Sequence, residues 1–99
     1  MQPLPSKTDF SQALNTSFRL AIEATQTLDI TLVQLREGNS TAEIEQYSLL
    51  FRGPADLLLP QRTYHLEHDP LGSFDLFLVP VSRDAAGVYY EAVFNRRIA

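Results

Sequence analysis

The chain has 99 residues, no cysteine and a formal charge of −4. That length makes one domain, with a core able to stand without metal or disulfide support. The missing thiols exclude cysteine catalysis, thiolate metal sites and disulfide staples. A pI near 4.9 argues against a nucleic-acid partner, which would call for a basic face. No apolar segment approaches the roughly 18 residues of a membrane span. The start, Met1 to Lys7, lacks the basic residues and apolar stretch of a signal peptide. No membrane partner is expected, and cytoplasmic residence is the default.

Residues 1–7, with two prolines, read as a flexible tail ahead of a single β domain over 8–99. Thr8 to Asn15 has the pattern of one or two helical turns, with Thr8 as N-cap and Phe10, Ala13 and Leu14 on one side. So short a helix must lean on an end or open edge of a sheet. Ser17 to Ala24 then alternates as a half-buried strand, with Phe18, Leu20 and Ile22 inward. Leu28 to Arg36 begins with the same alternation, but Val33 and Leu35 carry the apolar set to the other parity. Such a phase change predicts a bulge or a strand that crosses from one layer to another, either of which lets a small sheet curl or fold back.

Glu37 to Thr41 is a turn, and Ala42 to Arg52 a third strand with Tyr47, Leu49 and Phe51 on one face. Gly53-Pro54 stops it. The connection from Ala55 to Pro60 is apolar: Leu57, Leu58 and Leu59 in a loop either fold over an open end of the core or form a contact surface. Gln61 to Asp69 alternates Arg62, Tyr64, Leu66 and His68 against Thr63, His65 and Glu67. Phe74 to Ser82 contains the longest apolar run, Leu76 to Val81, which reads as a strand covered on both faces and made irregular by Pro80. Val88 to Asn95 is the last strand, with Val88, Tyr90, Ala92 and Phe94 on one face. The four glycines sit at strand ends, where positive φ serves turns.

About six strands with short connections, and no crossover helices, predict an all-β, antiparallel meander: a small barrel or a sandwich, with a short N-terminal helical turn. No chemistry announces itself on it. His65 and His68, three apart on a strand, point to opposite faces and cannot share a metal ion. No nucleophile elbow or phosphate loop is present, and Glu43 and Glu45 fit a solvated face. No cofactor, metal or catalytic residue is expected. The aromatics of the second half, with Arg52 and Arg62, suit core packing with tyrosine hydroxyls at the rim better than a base-stacking platform.

Two segments, Tyr47-Ser48-Leu49-Leu50-Phe51-Arg52-Gly53-Pro54 and Leu59-Pro60-Gln61-Arg62-Thr63-Tyr64-His65-Leu66-Glu67-His68, together with Leu71-Gly72-Ser73-Phe74, Leu76 to Val81 and Tyr90 to Arg96, resemble the signature of a small uncharacterised bacterial domain family of unknown function. The resemblance spans nearly the whole chain. Some members of that family stand near phage-tail-like collar proteins, which implies an accessory or assembly role and transfers no catalytic residue.

The expectation is therefore a non-enzymatic interaction or assembly module that docks on a protein partner or self-associates, a homodimer being one form of the latter. Leu57, Leu58, Leu59, Arg62, Tyr64 and Tyr90 are its candidate contact or rim residues. A small-ligand binder using a barrel mouth near Arg62, Tyr64 and Tyr90 is the alternative. A hydrolase of unrecognised type is the second alternative.

Overall fold

The computed structural model describes residues 4–97. A short helix α1 (Lys7–Gln12) precedes six strands: β1 (Ser17–Glu23), β2 (Gln26–Glu37), β3 (Ile44–Gly53), β4 (Arg62–His68), β5 (Gly72–Asp84) and β6 (Gly87–Arg97). All strand contacts are antiparallel, and they join one ring-like sheet in the order β1-β2-β3-β6-β5-β4, with β4 returning to β1. Sequential strands are neighbours except at β3, which lies beside β6, so residues 54–61 must carry the chain across to β4.

The ring departs from a regular barrel because two strands turn corners. Gln26 to Thr31 of β2 pairs with β1, and Thr31 to Glu37 pairs with β3. In β5, Gly72 to Leu78 pairs with β4, and Val79 to Asp84 with β6. Both strands lose register near the handover, β2 between Leu32 and Gln34 and β5 between Pro80 and Ser82. The first is the bulge that the change of parity at Val33 predicts, and the second follows from a proline that cannot donate to the ladder. The ring is thereby bent into two four-stranded halves, β2-β1-β4-β5 and β2-β3-β6-β5, sharing their outer strands.

Alternation then decides what is inside. Phe18 and Leu20, Ile30 and Leu32, Tyr47, Leu49 and Phe51, Tyr64 and Leu66, Leu76 and Leu78, and Val88, Tyr90, Ala92 and Phe94 all face a filled interior. A single-layered ring has no outer cover, and this corrects one expectation. The run Leu76 to Val81 is not covered on both faces: Phe77 is 51% exposed and Val81 49%.

Helix α1 plugs one end of the ring. Its cap is Ser6, not Thr8: the Ser6 hydroxyl accepts from the Asp9 amide, and the Asp9 carboxylate accepts from the Ser6 amide. Ser-x-x-Asp supplies both halves of a capping box, which Thr8 does not. Of the expected tail, residues 1–3 lie outside the described residues. Pro5 is buried, and Ser6 and Lys7 belong to the helix and its cap, so ordered chain begins ahead of Thr8. Phe10 inserts between Phe74 of β5 and Phe94 of β6, with ring centroids 5.7 Å from each, and the Lys7 ammonium pairs with Glu37. Asn15 adopts φ 66° to leave the helix, and its amide donates to Leu32 O at 2.6 Å. Asparagine tolerates that left-handed conformation better than most residues.

The glycines divide by role. Gly72 uses positive φ, 85°. Gly87 serves close approach instead: a Cβ there would stand 2.2 Å from Gly53 O.

Candidate interaction surface

The end of the ring opposite α1 is closed by residues 54–61, and the fold grips this loop from three sides. The Tyr90 hydroxyl, rising from the interior, accepts the Leu59 amide hydrogen at 3.0 Å and donates to Leu57 O at 3.4 Å. The Tyr64 hydroxyl donates to Pro60 O. The Arg83 guanidinium gives two hydrogen bonds to Ala55 O, at 3.1 and 2.6 Å. Each such bond is worth about 0.5–1.5 kcal/mol net, and prolines at 54 and 60 restrict the chain at both ends.

The three leucines part company on this frame. Leu59 is buried as the plug of the core, while Leu57 is 41% and Leu58 58% exposed. The two readings of the loop, core cover and outward apolar surface, thus fall to adjacent residues. Tyr64 and Tyr90 are buried, and their hydroxyls reach the rim only to hold loop backbone. Arg62 is exposed, its guanidinium 5.0 Å from the Tyr64 ring centroid. Burial pushes the Tyr64 phenol above its ordinary value, against the opposing pull of Arg62. Arg83 has no counterpart among the sequence candidates, because a side chain bonding a loop carbonyl 28 positions away leaves no mark in local pattern.

The histidines face opposite ways. His65 lies on the outer surface, Nδ1 2.9 Å from Asp75 Oδ1 and Nε2 3.8 Å from Glu67 Oε2, with no serine or threonine hydroxyl bonded to it among the described residues. His68 is buried, stacked on Phe18 at 4.3 Å, with Nε2 2.8 Å from Thr16 Oγ1. Thr16 spends its one hydroxyl hydrogen on Ala13 O at 2.6 Å, so His68 must donate through Nε2–H and carry its lone pair on Nδ1. That nitrogen is buried with no hydrogen-bond partner among the described residues. The pair therefore runs opposite to a base activating a nucleophile. Among the described residues, no group of three or more His, Asp or Glu side chains is placed to hold a metal ion, and no helix is long and apolar enough to cross a membrane.

A second apolar surface was hidden in the alternation. Phe77, Val81 and Val93 lie on the outside of β5 and β6, Val93 being 71% exposed. The available signal was parity: each sits on the face opposite the core residues of its own strand.

Compared with known families, residues 5–94 match the profile of one described as a domain of unknown function, DUF6916. No curated protein matches the chain. No solved structure matches it either.

Proposed function

For this chain, which belongs to the DUF6916 domain family, we propose a non-enzymatic role as a protein-docking module whose contact is the Leu57–Leu58 tip. One observation carries the reading: two exposed leucines stand on a loop whose backbone is fixed by Tyr64, Tyr90 and Arg83. Exposed leucines on a mobile loop would lose ordering entropy on binding. Here folding has already spent most of it, so apolar burial at the tip converts more fully into affinity. Burying one leucine side chain is worth about 1.5–3 kcal/mol.

Two features support this over the other readings. The rim tyrosines that a small ligand would meet are occupied with loop backbone, and Leu59 fills the mouth. The nearest hydroxyl–imidazole pair, Thr16 and His68, has the wrong donor direction for a hydrolase. The partner we favour is a larger, phage-tail-like assembly, in keeping with the resemblance of the β3–β4 and β5–β6 segments to domains found near collar proteins.

The test is affinity capture from native lysate with the wild type and Leu58→Ser in parallel, with sedimentation velocity on both. A shared fold with loss of specifically retained protein, or of self-association, supports docking through the tip. Identical retention by both excludes the tip as the contact.

A further inference from the structure

The β5–β6 ladder runs from Asp84↔Gly87 only to Val79↔Glu91. Beyond that point the strands part: among the described residues, Ser73 to Leu78 find strand partners only in β4, and Ala92 to Arg96 only in β3. Phe10 fills the inner side of the seam. Its outer side is a groove of about 490 Å³ between Phe77 and Val79 on one wall and Val93 and Asn95 on the other, with Leu4 at its edge. In an antiparallel strand, alternate residues turn both N–H and C=O toward each side. Each wall therefore presents backbone groups across the seam that have no strand partner among the described residues.

We propose that this seam accepts an extended segment of a partner polypeptide, which pairs along Ser73 to Leu78 and lengthens the β2-β1-β4-β5 half-sheet. Strand addition supplies affinity through main-chain bonds and specificity through alternate side chains. An edge of six residues is roughly 20 Å long at 3.3 Å per residue. Phe77 and Val93 would contact apolar side chains on the outer face of the segment. Charge narrows the occupant further. Asp75 and Glu91 line the groove, and the one positive side chain lining it among the described residues, Arg96, leans toward Glu45 at 3.8 Å, so the segment carries lysine or arginine beside its apolar residues. A second copy of this chain, itself of net charge −4, is disfavoured as the occupant of an acidic groove. The seam is distinct from the Leu57–Leu58 tip, and its test does not depend on that reading.

The experiment titrates the full chain with an acetylated, amidated heptapeptide in which valine and threonine alternate between terminal lysines, read by amide shifts and hydrogen exchange. The expected result is slowed exchange, tenfold or more, confined to residues 73–78 and 92–97, with at least fivefold weaker binding to Glu91→Lys. A peptide N-methylated on alternate residues, with the same side chains, should not bind. The proposal is overturned by equal binding of the N-methylated peptide, by shifts centred on 54–61, or by no binding at millimolar peptide. It is also overturned if the same protection appears on raising protein concentration alone, since the occupant is then a second copy.

Discussion

The Tyr90 hydroxyl receives the Leu59 amide hydrogen at 3.0 Å across 31 positions of sequence. A residue of the last strand thereby sets the conformation of the loop between the third and fourth. The same loop offers one leucine to the core and two to solvent, so the core and the proposed contact share a single support.

That support is testable by Tyr90→Phe. The ring stays in place, but the Leu59 amide is left buried without an acceptor, at a cost of about 1–3 kcal/mol. Urea denaturation should show the loss, and amide exchange at Leu57 to Leu59 should accelerate more than exchange in β3. Unchanged loop exchange would mean that Tyr64 and Arg83 hold the loop unaided.

Tyr47→Phe should behave oppositely. The Tyr47 hydroxyl is buried with no hydrogen-bond partner among the described residues, and the ring stacks on Phe94 at 4.6 Å. Burial, the dominant influence, raises its phenol above the ordinary value. Removing an unsatisfied hydroxyl while keeping the stack should be neutral or stabilising by up to about 1 kcal/mol. A clear loss in denaturant midpoint would show an unseen partner.

Much of this could be read in the sequence because strand parity is local. Tyr47, Leu49 and Phe51 and the set Val88, Tyr90, Ala92 and Phe94 point inward as their spacing demands, and the bulge at Val33 and the irregularity after Pro80 occur where the pattern breaks. The dense run Leu76 to Val81 misled because apolar content does not say whether a second layer exists. Its outer half is bare because the one helix among the described residues, α1, plugs an end of the ring instead of covering its outside. Of the proposed contact site, the three leucines were visible as a group. Their division into plug and tip was not, since it depends on Tyr90 and Arg83, both distant in sequence. The helix start was missed by two residues because Thr8 and Ser6 are both good caps in isolation, and Asp9 selects Ser6.

His68 predicts a pH dependence. Its pKa is lowered from 6.5 chiefly by burial, with Asp69 opposing, and its free nitrogen has no acceptor for a second proton. The unfolded chain thus binds the proton more readily than the folded one. The associated stability is present above pH 6.5 and is lost as pH falls through the lowered folded value. Denaturant midpoints between pH 8 and 5 should fall more steeply for the wild type than for His68→Gln; parallel profiles would contradict the lowered pKa of the buried ring.

Gly87→Ala should be among the costlier small substitutions, because the added methyl meets the Gly53 carbonyl oxygen at 2.2 Å. Overpacking against backbone costs about 1–3 kcal/mol or more. Gly38→Ala, where the closest neighbour is the Gln46 Cβ at 3.1 Å, should cost less. Thermal unfolding of the two variants side by side checks the order, and equal midpoints would contradict it.

The central claim, docking through a loop held in place before the partner arrives, is tested most directly with Leu58→Ser. Its side chain is 58% exposed and it contributes no hydrogen bond to the three clamps. Unfolding free energy should stay within about 0.5 kcal/mol of the wild type, while proteins specifically retained by the wild type, or its self-association, fall at least tenfold. Full retention by a correctly folded Leu58→Ser protein would contradict the account.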